Sequence, residues 1–133
     1  MTDESIKRNT AADVLRRYRE DDLVEFIGLP LNDVNQRGHF GDRPIHLAAR
    51  RGNVADLSAL IEGGADMNAQ GDRDFTPMHN AVLHNQIDAV KFLLEIGVDQ
   101  KIPNDDGNSA LELARIMGHA DIVKLLERDG GVR

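Results

Sequence analysis

The phrase Arg43-Pro44-Ile45-His46-Leu47-Ala48-Ala49 returns 33 residues later as Thr76-Pro77-Met78-His79-Asn80-Ala81-Val82, and after the same interval again as Ser109-Ala110-Leu111-Glu112-Leu113-Ala114-Arg115. A fixed period of this size restricts the chain to a stack of similar units, each burying its apolar face against the next. The second half of the unit repeats as well. Gly63-Gly64-Ala65-Asp66-Met67-Asn68 precedes Ile96-Gly97-Val98-Asp99-Gln100-Lys101 by one period, and Asp33-Val34-Asn35 precedes Asp66-Met67-Asn68 by another. Leu57, Leu60 and Ile61 recur as Val90, Leu93 and Leu94, then as Val123 and Leu126 beside Leu125; one period earlier stand Val24 and Ile27. Thr10 aligns with Arg43, so four units tile the chain at roughly 9–35, 36–68, 69–101 and 102–133.

Motif, period and the Gly-Ala-Asp-x-Asn ending together resemble the ankyrin repeat family. The resemblance implies an all-α repeat, a solenoid of four stacked helix-turn-helix units with hairpin-like finger loops, forming a single domain over residues 9–133 behind a short N-terminal tail at 1–8. The residues suit that fold physically. Thr76, Ser109 and Thr10 are N-cap residues, and Pro77 fits a first helical turn that needs no amide donor. Arg43 caps less well. Ala48, Ala81 and Ala114 let short helices approach closely, and the apolar residues three and four apart give each second helix a buried stripe. Gly64 and Gly97 suit helix ends, and Gly41 and Gly107 suit the finger turns. Asp74 stands at the equivalent place in the third unit and is expected to reshape that turn. The resemblance also implies structural roles for His46 and His79, bonded to the backbone of the neighbouring unit, rather than metal binding. His119 reads as a loop histidine and Asn35 and Asn68 as turn holders. Arg16, Arg115, Glu127 and Gly28 replace apolar residues in the end units and are expected to act as polar caps of a complete array.

Composition narrows the function classes. The 133 residues carry a net charge of −7 with no cysteine. That balance disfavours nonspecific nucleic-acid binding, which needs positive charge. No apolar run approaches a membrane span and no basic-then-apolar leader follows Met1, so no membrane association and a cytoplasmic location are expected. Absent cysteine excludes disulfides and thiolate metal sites. No phosphate loop, metalloprotease phrase or nucleophile elbow occurs, so no catalytic residue is assigned and no enzyme activity is expected. Asp72 with Asp74, or Asp105 with Asp106, offer oxygen atoms to a hard cation. The first pair lacks the Gly and Glu of an EF-hand loop and the second reads as a solvated turn, so no metal or cofactor is assigned.

What does not repeat is the candidate site. Folding the sequence at its period aligns Arg17, Arg50, Leu83 and Ile116 in one column, Tyr18, Arg51, His84 and Met117 in the next, and Val14, Leu47, Asn80 and Leu113 in a third. The resemblance implies that these columns are variable and solvent-facing. They grade from basic at the front to apolar at the back. Leu83, Ile116 and Met117 form an expected exposed apolar cluster; the alternative for Ile116 and Met117 is that they seal the last unit's own core. The fingers carry Arg37, His39, Phe40 and Asp42, then Asp72, Arg73, Asp74 and Phe75, then Asn104, Asp105, Asp106 and Asn108. Phe40 and Phe75 are read as interface anchors inside an acidic rim, against the alternative of packing between fingers. The expected function is a non-enzymatic protein-binding module, acting through fingers and concave face as an inhibitor, adaptor or toxin-neutralising immunity protein. The alternative is a structural subunit that self-associates through the apolar cluster; a monomer is expected, with a dimer as the variant.

Overall fold

A computed structural model describes residues 9–131, so the tail expected at 1–8 lies outside the described residues. Among the described residues the regular structure is entirely helical. It comprises α1 (Ala11–Glu20), α2 (Pro44–Arg51), α3 (Val54–Glu62), α4 (Pro77–Leu83), α5 (Ile87–Glu95), α6 (Ala110–Met117) and α7 (Ala120–Leu126), with a 3-10 turn at Asp72–Asp74 and a final π turn at Glu127–Gly131. No helix among them is long and apolar enough to cross a membrane. The all-α repeat implied by the resemblance is the architecture observed: α2, α4 and α6 form one row, α3, α5 and α7 a second.

Local chemistry starts and stops each helix. Thr76 Oγ1 accepts the His79 amide at 3.2 Å, Ser109 Oγ the Glu112 amide at 3.2 Å and Thr10 Oγ1 the Asp13 amide at 3.2 Å. Each satisfies an amide that the helix itself leaves unpaired. Arg43 makes no side-chain cap, as its chemistry implied. Between the rows, Ala48, Ala81 and Ala114 are fully buried, and so are Leu57, Leu60, Val90 and Leu93. In α7 the buried places fall to Ile122 and Leu126, with Val123 and Leu125 half-buried.

The column Val14, Leu47, Asn80 and Leu113 corrects the expectation that it faces solvent. All four residues are buried. Helices α2, α4 and α6 lie side by side, so Leu47, Asn80 and Leu113 face neighbouring chain rather than water. Asn80 stays satisfied there by donating to the Thr76 carbonyl at 3.3 Å.

The first unit departs further. Residues 24–28 align with the second-helix stripe but form turns, and Val24 and Ile27 are 61% and 53% exposed. Gly28, at φ 77, and Pro30 interrupt any helix, and Phe26 and Leu31 bury themselves instead. Helix α1 packs chiefly on α3 and runs antiparallel to it: Ala11 lies against Gly63, while Arg17 reaches Asp56 at the other end at 2.7 Å. Asp56 is buried and also accepts from Asn9 Nδ2 at 2.8 Å and Tyr18 Oη at 3.2 Å. Tyr18, read as solvent-facing, is therefore fully buried. Burial alone would raise the Asp56 pKa; the bonds from Arg17, Asn9 and Tyr18 outweigh it and hold the carboxyl below its ordinary range.

Polar bonds join one unit to the next. His46 Nε2–H donates to the Ala69 carbonyl at 2.8 Å and His79 Nε2–H to the Asn108 carbonyl at 2.9 Å. Each tautomer follows from the other ring nitrogen: Nδ1 accepts the Arg43 amide at 2.9 Å in one case and the Thr76 amide at 3.1 Å in the other. Asn35 Oδ1 accepts the Asp66 amide at 2.9 Å, and Asn68 Oδ1 the Asp99 amide at 2.8 Å. These bonds are the structural roles expected of both histidines and both asparagines. His119 Nε2 lies 3.4 Å from the Leu83 carbonyl, joining the loop after α6 to the end of α4.

Burial lowers the pKa of His46 and His79, because the charged imidazolium is poorly solvated inside the stack. A histidine held neutral binds fewer protons than in the unfolded chain. Its stabilisation is complete above the ordinary value of 6.5 and is lost as pH falls below that. The melting temperature is expected to fall as pH drops from about 7.5 to about 5.5, and His79→Gln to flatten that slope. A scanning-calorimetry series with a slope indifferent to His79→Gln would contradict this assignment.

Candidate functional site

Three fingers project between the units, each closed by one backbone bond: Gly38 N–H to Asp42 O at 2.6 Å, Gly71 N–H to Phe75 O at 2.8 Å and Asn104 N–H to Asn108 O at 2.8 Å. The turn position needs a positive φ, and Gly41 and Gly107 supply it at 99° and 82°. Asp74 holds the same region at 59°, and Arg73 joins it at 58°. That pair gives the second finger two consecutive left-handed residues where the first and third have one glycine each, the reshaping expected from the missing glycine. It also turns the Arg73 side chain outward, where it is 60% exposed.

Adjacent fingers are tied together. The Asp42 carboxylate accepts the Asp72 amide at 2.8 Å, and the Arg73 carbonyl accepts the Asp105 amide at 3.0 Å. Arg73 reaches Asp106 at 3.2 Å and Asp105 at 3.8 Å. Asp42 is buried, so it serves the fingers and is not part of an exposed acidic rim. Phe75 corrects its reading as an exposed anchor. It is only 7% exposed, its ring tilted against His79 at 5.4 Å with the Arg73 guanidinium 5.9 Å from its face. The alternative of packing beneath the fingers describes it. Phe40 is 54% exposed, as an anchor would be. His39 beside it is exposed, its ring bonded to the Ile27 carbonyl at 2.7 Å.

Beneath the fingers lies a cleft of about 150 Å³ lined by Asp42, Arg50, Asp72, Arg73, Phe75, Asn80, Leu83 and His84. Seven of those eight are candidate site residues; the eighth, Asn80, belongs to the third column alone. Arg50 is half-buried, 2.6 Å from Glu25 and 3.9 Å from Asp42. Leu83 is half-buried and leans on the core, less open than expected. His84 is exposed at the lip, its pKa lowered by partial burial and by the nearby Arg50 charge. A space this small falls short of the ~300 Å³ typical of a ligand pocket and suits one side chain of a larger partner. A larger hollow of about 680 Å³ lies between α1 and α3, but small residues such as Ala12, Ala55 and Ala59 line it and none of the candidate site residues does.

The remaining candidates lie apart from the cleft. Arg51 is exposed, 5.5 Å over the Tyr18 ring and 3.9 Å from Asp21. Ile116 and Met117 are 65% and 41% exposed, so they do not seal the core of the last unit. Asp105 and Asp106 are exposed and engaged with Arg73. Among the described residues no three His, Asp or Glu side chains converge on a point suited to a metal ion. Two surface residues escaped the sequence reading. Val24 and Ile27 follow the period of a buried stripe, and only Gly28 and Pro30 beside them signal that the helix fails.

Comparison with known proteins gives the same fold. A family model described as ankyrin repeats (3 copies) matches residues 11–104 and again residues 45–132. A human protein, ankyrin repeat domain-containing protein 31, is 34% identical over 67 residues. That match covers 50% of this chain and 4% of the human protein.

The burial difference between the two finger aromatics is measurable. Phe75→Ala is expected to cost about 3 kcal/mol, as buried aromatics do, whereas Phe40→Ala should stay within about 0.5 kcal/mol. Urea unfolding of both variants checks this, and equal losses would contradict the placement.

Proposed function

The chain belongs to the ankyrin repeat family, and from that premise we propose that the fingers and the cleft beneath them bind a partner protein. Ankyrin repeats generally serve as non-enzymatic protein-interaction modules. The observation that supports this surface is convergence: seven candidate residues from two adjacent units line one small cleft. Residues kept for stacking recur through the middle units; of these seven, only Arg50 (with Arg17) and Asp72 (with Asp105) recur at all. Arg73, His84 and the exposed Phe40 ring offer a cation, an imidazole and an apolar contact around a space that fits one side chain. Phe75 supports the cleft floor, and Asp42 holds its edge. Asp72, Asp105 and Asp106 set a negative field that favours a basic approach and raises association rates at low salt.

Within this reading the protein acts as an inhibitor, adaptor or toxin-neutralising immunity protein, and a cytoplasmic site of action goes with it. The resemblance to a much longer human protein concerns repeats alone, so that protein's activity and partners carry no weight here.

The test is affinity capture from the native lysate with tagged wild-type protein and with the triple variant Phe40→Ala, Arg73→Ala, His84→Ala. All three residues are exposed, so the fold should persist. We expect a specific protein with wild type and about tenfold less with the variant. Equal recovery would remove the proposed surface.

Exposed Ile116 and Met117 support a second reading, self-association through the back of the array. In that case light scattering shows a concentration-dependent dimer that Ile116→Ser with Met117→Ser abolishes. A monomer throughout the micromolar range contradicts it.

A further inference from the structure

Five large hydrophobic residues stand exposed among the described residues: Val24, Ile27, Phe40, Ile116 and Met117. Three of them gather at the front edge. The His39 amide donates to the Glu25 carbonyl at 2.7 Å, and the His39 ring bonds the Ile27 carbonyl at 2.7 Å. A Cβ on Gly38 would meet the Phe26 ring and the Glu25 carbonyl. Residue 39 is thus held against residues 25 and 27, which brings the adjoining Phe40 next to the Val24–Ile27 turn. The period gives no reason for this patch, since the residues equivalent to Val24 and Ile27 in the later units lie in the second helices.

The surroundings of the patch have one dominant charge. Residues 20–42 hold six acids (Glu20, Asp21, Asp22, Glu25, Asp33 and Asp42) and one base, Arg37; Arg50 and Arg51 meet three of the acids, which leaves Glu20, Asp22 and Asp33 against Arg37. Glu25 and Asp42 meet Arg50, and Asp21 lies 3.9 Å from Arg51. Glu20 and Asp22 are exposed beside Asp21. Arg19, the nearest preceding base, turns its guanidinium onto the Pro30 and Leu31 carbonyls at 3.2 and 3.1 Å.

We infer that this front edge, with Val24, Ile27 and Phe40 at its centre, docks a basic amphipathic segment of a partner protein. Apolar residues on one side of such a segment cover the patch, and its Lys or Arg residues meet the Glu20-Asp21-Asp22 run. An apolar centre with a charged rim is the anatomy of a specific interface. A second copy of this chain fits less well, because the same acidic edge would meet itself in a symmetric contact. The inference extends protein binding to the front edge; Phe40 borders both surfaces, so Val24 and Ile27, which lie outside the cleft, carry the distinction.

Fluorescence anisotropy with three labelled peptides tests it: a Lys/Leu peptide patterned as an amphipathic helix, a Glu/Leu peptide of the same pattern, and a Lys/Ser peptide of equal charge. The Lys/Leu peptide should bind and the other two should bind at least about tenfold more weakly. Val24→Ser with Ile27→Ser should weaken Lys/Leu binding about tenfold, while Arg73→Ala with His84→Ala in the cleft should leave it unchanged. Both front positions are exposed; should that variant nonetheless melt early, Ile27→Ser alone should weaken Lys/Leu binding in the same direction. Equal binding of the Glu/Leu or Lys/Ser peptide, or binding indifferent to the front substitutions, overturns the inference. So does a wild-type dimer in sedimentation that Val24→Ser with Ile27→Ser makes monomeric, because the occupant is then a second copy.

Discussion

His46 and His79 each hold two pieces of backbone that lie apart in sequence. One ring nitrogen accepts an amide at the start of its own helix; the other donates to a carbonyl in the following unit. Both rings are buried, so neither bond is traded cheaply for water. At the opposite end of the unit Asn35 and Asn68 each accept an amide of the following unit. Short helices of seven to nine residues gain little stability alone. The stack depends on these bonds to set the register in which the alanine-lined first helices and leucine-lined second helices meet. At the last unit Glu112 replaces the histidine, and its carboxylate turns back to the Ser109 amide at 2.8 Å. The local cap survives there without a bond to a following unit.

Because register is fixed by residues that recur, the remaining positions are released from stacking duty. The fingers show how that freedom is used. Asp42, Arg73, Asp105 and Asp106 tie one finger to the next, so the loops form a connected edge. The cleft beneath inherits that order. Its floor is Phe75, locked under Arg73 and against His79, the residue that also holds the units together. Stacking chemistry and surface chemistry are therefore contiguous.

Much of the fold was legible because the period is a direct consequence of stacking. Helix starts, the histidine bonds, the small residues between helices and the positive φ at position 74 all follow from position within the unit. The front of the chain was misread for the same reason. Aligning Val24 and Ile27 with Leu57 and Leu60 assumes a second helix, and Gly28 with Pro30 removes it. Once that helix is absent, α1 loses its ordinary place and turns onto α3. Asp56, an unremarkable acid in sequence, becomes the acceptor for Arg17, Asn9 and Tyr18. Burial within the site was the harder quantity. Phe40 and Phe75 hold similar finger positions, yet one ring faces water and the other the core. Their offset of 35 residues rather than one period is the signal that separates them. Asn80 and Leu47 were assigned to solvent by column alone, which ignores that neighbouring first helices touch.

The proposed division of labour is that recurring residues build the stack and non-recurring residues on the finger side meet a protein. Photo-crosslinking in the native cell tests that division most directly. A photoreactive residue replacing Phe40 or His84 is compared with one replacing Glu62 or Glu95, which are exposed at the ends of α3 and α5. The account predicts a discrete protein adduct from the finger-side positions and none from the second-helix positions. Adducts from Glu62 or Glu95, with none from Phe40 or His84, would contradict it.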